Sequence, residues 1–171
     1  MISGDRKSGM HTIQLRGPWQ ARVLSRASSC ADKPTEQDVP DDKWHRVTLG
    51  DWSAWLGVEF RGVVRFERRF GCPTGLTEST RVTLVVEAVD FRAEISLNDQ
   101  RVGQCQWGEG PWRTDIRDQL QPRNRLTIDV EMPVWEGANE GVERAGRAQL
   151  AGGLLGPVYL ELLDDPSARG R

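Results

Sequence analysis

Histidine is nearly missing from this chain: His11 and His45 are the only two in 171 residues. That excludes a His-rich metal centre. No histidine lies near Ser28, Ser29 and Cys30 in a recognisable arrangement, so nucleophilic catalysis finds no support there. Cysteine is scarce as well. Cys30, Cys72 and Cys105 are odd in number and far apart, which argues against a disulfide framework or a zinc site. No apolar run approaches the roughly 18 residues of a membrane span. The opening MISGDRKSGM has no apolar stretch and so does not read as a signal peptide. An excess of charge of one sign is lacking too, since 23 Lys and Arg stand against 25 Asp and Glu. The two signs are interleaved in FERRFG and GVERAGRAQ, which reads as a solvated mixed surface and not as a footprint for nucleic acid or an anionic membrane. The expectation is a soluble cytoplasmic protein with no cofactor, no nucleic acid partner and no membrane partner.

The pattern present has a period of two over most of the chain. In VVRFERRF, Val64, Phe66, Arg68 and Phe70 share one face, and Val63, Arg65, Glu67 and Arg69 share the other. RVTLVVEAV is the most apolar segment and reads as a central strand. RAEISLN puts Ala93, Ile95 and Leu97 on one side, then turns at Asn98-Asp99 into QRVGQC as a hairpin. RLTIDVEM aligns Leu126, Ile128, Val130 and Met132, and VYLELL closes the series. HTIQLRG and WQARVLSRA read as an opening strand pair, or as one strand bent at Gly17-Pro18. Eight or nine short strands without a long helix mean an antiparallel sandwich or barrel. A chain of this length is one domain that can bury about 70% of its unfolded surface. The expected core is Phe66, Phe70, Leu84, Val86, Ile95, Leu97, Leu126, Ile128, Val130 and Leu160. Residues 133–153 form an irregular stretch too long for a simple hairpin loop, and such loops are often functional.

Several motifs occur in a telling order. GVEFRGVVRFERRF covers residues 57–70. Ala88-Val89-Asp90 precedes the Ala93, Ile95, Leu97 face, and Asn98 to Gly103 follows as a turn with Val-Gly. Pro111-Trp112 leads to Asp115-Ile116. Asn124, Leu126, Ile128 and Val130 follow, and GGLLGPVYL covers residues 152–160. In this order the chain resembles the sugar-binding jelly-roll domain that opens family 2 glycoside hydrolases, the β-galactosidase, β-glucuronidase and β-mannosidase group. The resemblance runs from about Leu15 to Leu163. It implies an all-β fold, an antiparallel two-sheet jelly-roll sandwich like galactose-binding domains. Residues 11–163 would form it, with 1–10 a disordered or extended N-terminal segment and 164–171 a C-terminal tail. The enzymes of the family place their catalytic acids on a barrel, and no barrel sequence follows Leu163. Where they carry Gly-Ile-aromatic-Arg-x-Val, this chain has Gly153-Leu154-Leu155-Gly156-Pro157-Val158. An Asp that binds sugar in several members, six residues before that glycine, corresponds to Arg147, which cannot accept a hydrogen bond.

Sugar recognition needs an aromatic platform and side chains that bond to hydroxyls. The chain has seven tryptophans. Trp19, Trp44 and Trp112 read as plugs for the open ends of the core. Trp52, Trp55, Trp107 and Trp135 either do the same or line one rim. Trp107 lies next to Glu109 on a Gly-rich turn, and Trp135 beside Glu136 and Asn139 on the long loop. The expected sugar site is therefore Trp135, Glu136 and Asn139 with Trp107 and Glu109. Asp41, Asp42, Asp90 and Asp115 form no tight acidic cluster, so a calcium site is not expected, and Asp115 reads as a turn or cap residue. Glu136, Glu140 and Glu143 share one loop with no second rigid acid opposite, so paired-carboxylate hydrolysis is not expected. The expected function is non-catalytic carbohydrate binding. The alternatives are a protein-interaction domain that kept the fold and lost the sugar, or an accessory subunit of a separately encoded glycoside hydrolase.

Overall fold

A computed structural model of the chain describes residues 9–27, 43–134 and 150–164. Six strands form the larger sheet: β2 (Trp19–Arg26), β3 (His45–Val47), β5 (Gly62–Gly71), β8 (Arg92–Leu97), β9 (Gln100–Gln106) and β11 (Arg123–Met132). Their order is β3-β2-β5-β11-β8-β9. The second sheet holds β1 (Met10–Gln14), β6 (Thr80–Val86), β10 (Trp112–Asp115) and β13 (Val158–Asp164), in the order β1-β13-β6-β10. Neighbouring strands run antiparallel throughout. The two sheets share one apolar core, which makes the molecule the expected all-β antiparallel sandwich.

Alternation decides which side chains enter that core. In β11, Leu126, Ile128, Val130 and Met132 are fully buried, and the residues between them point outward. Val64 and Phe66 of β5, Ile95 and Leu97 of β8, and Leu84, Val86 and Leu160 of the facing sheet meet them. Burying each such side chain is worth about 1.5–3 kcal/mol. Phe70, expected inside, is only half-buried because it stands one residue from the end of β5, at the margin of the core.

Two further features depart from the sequence reading. β1 and β2 neither pair nor form one bent strand. β1 pairs with β13, β2 pairs with β3 and β5, and the Gly17–Pro18 corner carries the chain from one sheet to the other. Leu15 and Trp19 flank the corner in the core, and the Trp19 indole N–H donates to the Leu15 carbonyl at 2.9 Å. A small three-stranded ribbon closes one end: β4 (Gly50–Asp51), β12 (Gly153–Leu154) and β7 (Val89–Asp90), in the order β4-β12-β7. A single helical turn, α1 (Ser53–Leu56), follows β4, and Asp51 accepts hydrogen bonds from the backbone and hydroxyl of Ser53.

The opposite end is held by amides. Asn98 (φ 51°) and Asp99 (φ 66°) make the left-handed two-residue turn between β8 and β9. The Asn98 side-chain amide donates to the Asn124 side-chain oxygen and to the Gln119 carbonyl, each at 3.0 Å, and the Asn98 oxygen accepts from the Arg125 N–H at 2.9 Å. Buried Asn124 in turn clamps Gln121 through its N–H and its carbonyl. The two asparagines that carry the family resemblance at this end are thus accounted for as structural clamps.

Candidate functional site

The ribbon end is where the sequence-nominated residues lie, in so far as they are described. Trp107 and Glu109 occupy the turn that joins β9 to β10. Gly108 (φ 86°) and Gly110 (φ 79°) take backbone conformations that side chains disfavour, so the turn can be this tight. The Glu109 carboxylate folds back to accept the Gln106 N–H at 3.2 Å, and the Trp107 N–H donates to the Phe91 carbonyl at 2.7 Å. The turn is therefore tied to the strand pair β7–β8. Trp107 keeps 40% of its surface exposed, so it can offer an indole face to a ligand. Trp135, Glu136 and Asn139, like Arg147, lie outside the described residues. The described chain breaks off at Val134, just beyond β11, and resumes at Leu150, just before β12. Both points belong to this end, because the Glu131 carbonyl accepts the Phe91 N–H and the Gly152 carbonyl accepts the Trp52 N–H.

Register brings further polar groups beside Trp107. Arg92 pairs across the sheet with Gln106 on one side and Glu131 on the other, and its guanidinium meets the Glu131 carboxylate at 2.5 Å. Behind this pair a groove of about 320 Å³ runs along the outer face of the large sheet, lined by Val63, Glu94, Gln104 and Asp129 among others. Asp129 accepts two hydrogen bonds from Arg65, at 2.7 and 2.6 Å. That hydrogen-bonded pairing raises the Arg65 pKa above its ordinary value, and the fork orients both groups. Arg92, Gln104, Asp129 and Glu131 were not nominated from sequence. Strand register brings them to their neighbours across 39 residues for Arg92 and Glu131 and 64 for Asp129 and Arg65, and spacing alone does not reveal it. The outward positions of RLTIDVEM and RAEISLN were the available signal.

The tryptophans divide differently from the sequence reading. Trp52, a rim candidate, is fully buried, edge-on to Phe60 with ring centroids 5.3 Å apart. Trp55 is partly buried against the core and lies 5.3 Å from the His45 ring. Trp44, expected to plug the core, is 38% exposed and lies under the Arg22 guanidinium at 4.9 Å. Trp112 packs against Gly103, where an added Cβ would come within 2.3 Å of the ring. Asp115 does serve as a turn residue: it accepts the Arg117 N–H at 2.9 Å.

One nucleophile lies near the site. Cys105 is buried one residue before Gln106, and burial, with a smaller contribution from the Glu109 charge, pushes its thiol up to about 11. A thiol held protonated at neutral pH is a packing group and not a reactive centre.

Position 156 marks where this end differs from the enzymes the sequence resembles. A Cβ on Gly156 would lie 2.7 Å from the Glu87 Cβ and 2.9 Å from the Ala88 nitrogen. The Gly156 N–H donates to the Ala88 carbonyl, so the chain hugs the β6–β7 connection and leaves no room for an arginine side chain.

Solved structures share this fold. An FMN-binding β-glucuronidase from Faecalibacterium prausnitzii L2-6 matches 91% of this chain with 23% identity and a TM-score of 0.65, over 23% of its own length. A protein of Bacteroides fragilis described as a putative β-galactosidase matches 90% with 20% identity and a TM-score of 0.66, again over 23% of its length. A Bifidobacterium dentium β-glucuronidase solved with coumarin-3-O-glucuronide matches 93% with 21% identity and a TM-score of 0.62, over 30% of its length. The chain thus spans less than a third of each of these proteins. No curated protein matches its sequence significantly. A family model, the galactose-binding domain-like domain of glycosyl hydrolase 2, matches residues 57–154, more than half of the chain, and takes in β7 and β12 of the ribbon. By that match the chain belongs to the glycosyl hydrolase 2 galactose-binding domain-like family.

Proposed function

We infer that the protein is a non-catalytic carbohydrate-binding domain whose sugar site is the ribbon end. The observation that carries this reading is the half-open Trp107 indole on a turn fixed by Glu109, beside the Arg92–Glu131 pair. A sugar presents C–H faces that stack on an indole and hydroxyls that need donors and acceptors side by side. Arg92 donates, and Glu109 and Glu131 accept. Trp135, Glu136 and Asn139, which come shortly after Val134 in sequence, are proposed to complete the site. Catalysis is not part of the reading. Glu131 is committed to Arg92, and Glu109 to a backbone N–H.

The site is shallow, so ordering side chains and stripping water from hydroxyls offset much of the contact energy. The expected dissociation constant is about 0.1–1 mM, or about 4–5.5 kcal/mol. Galactose, glucuronate and mannose should each be titrated against the protein while tryptophan fluorescence is followed. One of them is expected to saturate, and Trp107→Ala and Trp135→Ala should each weaken it at least tenfold while melting like the parent. Trp19→Ala should instead damage folding. Unchanged affinity in both Trp107→Ala and Trp135→Ala would remove the site assignment. Absence of saturation by any sugar would favour the interaction-domain reading, which the lack of room at Gly156 supports.

Hydrolysis is expected to be absent. Nitrophenyl galactoside, glucuronide and mannoside should release no nitrophenol above the protein-free rate. Turnover that disappears in Glu136→Gln or Glu143→Gln would overturn the non-catalytic assignment.

A further inference from the structure

The other margin of the sandwich carries a cleft that the sugar reading does not use. β3 and β1 are edge strands of the two sheets on one side, and β9 and β10 are the edges on the side of Trp107. Between the β1 and β3 margins lies a cavity of about 500 Å³. Its floor is Leu15, Trp19 and Val158, all buried, and its walls include half-buried Val47 and Leu49. The one polar atom of the floor indole is already satisfied, because the Trp19 N–H is bonded to Leu15. The floor therefore offers apolar surface without a polar group awaiting a partner.

Among the described residues, charge at the mouth is of one sign: Arg16 and Arg46 line the opening, both exposed, and none of the described lining residues is a carboxylate. Among the described residues neither guanidinium makes a hydrogen bond or an ion pair. Most other arginines of the two sheets do have such partners: Arg65 with Asp129, Arg69 with Glu67, Arg92 with Glu131, Arg113 with Glu161 and Arg125 with Asp99. Two unengaged guanidinium groups over an apolar floor select a ligand with an anionic head and an apolar body. The volume falls in the range that holds a small organic molecule.

We propose that the cleft between β1 and β3 is a binding site for a small amphipathic carboxylate, an aryl or short-chain aliphatic acid. Its apolar body would sit on Leu15, Trp19 and Val158, and its carboxylate would be held by Arg16 and Arg46. Guanidinium forks match a carboxylate better than a hydroxyl, so the site discriminates by charge and not by size alone. It is independent of the rim and stands whether or not sugar binds there.

The test uses the whole chain and two probes of nearly equal shape, 3-phenylpropionate and its neutral amide, titrated by calorimetry and by amide NMR shifts. The acid is expected to bind saturably, with the largest shifts at Leu15, Val47 and Leu49. The amide should bind about tenfold more weakly, the ratio expected for losing a charge-assisted hydrogen bond. Arg46→Gln and Arg16→Gln should each weaken the acid several-fold and bring acid and amide together. Both are exposed positions whose replacement leaves folding within about 0.5 kcal/mol, which the melting curve checks. Trp107→Ala should leave acid binding unchanged. Equal affinity for acid and amide, no saturation by the acid at 10 mM, or loss of binding in Trp107→Ala but not in Arg46→Gln would each overturn the proposal. So would self-association abolished by Arg46→Gln, because the face would then be an interface between copies.

Discussion

Truncating Ile128 to Ala is expected to destabilise the fold by about 2–5 kcal/mol. Ile128 is fully buried at the centre of β11, the third of the six strands counted from the β9 edge, with Phe66 of β5 on one side and Ile95 of β8 on the other. Both partners are themselves fixed in hydrogen-bonded ladders, so the surrounding wall can collapse only partly into the vacated space. The cost is then the lost transfer energy plus the residual cavity. For a chain of this size the melting temperature should fall by roughly 5–15 °C. Thr127→Ala, one residue away and facing outward, is the internal control, with an expected change below about 1 kcal/mol. Denaturant melts of the two variants give the comparison. Equal effects at 127 and 128 would mean that the inward and outward faces of β11 have been assigned wrongly.

The longer strands were legible because each shows its period. Leu126, Ile128, Val130 and Met132 declare an inward face from sequence alone, and the structure buries all four completely. Sheet membership was less legible. Gly17-Pro18 marks a corner, but a corner does not say whether the chain returns along its own sheet or crosses to the other. Here it crosses. The ribbon was invisible because its strands have two residues each, too few for any period. Tryptophan burial was misjudged for a related reason. Which side of the strand a residue occupies decides the matter, and near strand ends the period is lost. Trp44 falls beside outward-facing Arg22, whereas Trp52 turns under Gly152. At the candidate site, Trp107 and Glu109 could be named because they are neighbours in sequence. Arg92 and Glu131, 39 residues apart, become neighbours only through the β8–β11 register.

Replacing Gly153 by Ala should damage both stability and the rim. Gly153 is the residue through which β12 joins β4 and β7, paired with Asp51 on one side and Asp90 on the other. Its φ is +157°, and an added Cβ would lie 2.4 Å from the Gly50 carbonyl oxygen and 2.8 Å from the Asp51 Cα. These are backbone atoms, so neither can swing away as a side-chain tip would. The ribbon must separate or the strand must rotate, at an expected cost of about 2–4 kcal/mol from overpacking and backbone strain together. Gly57→Ala separates the two contributions. Gly57 also has a positive φ, +84°, but nothing lies within 4 Å of its added Cβ, so only the backbone term of about 1 kcal/mol should appear. The functional consequence follows from connectivity. β7 leads straight into Phe91, whose carbonyl anchors Trp107, so parting β12 from β7 loosens the indole platform as well. Gly153→Ala is therefore expected to bind sugar more weakly even below its melting transition, where Gly57→Ala binds normally. If Gly153→Ala melts within about 1 kcal/mol of the parent and keeps its sugar affinity, the ribbon does not brace the rim and the link from β12 to Trp107 is broken.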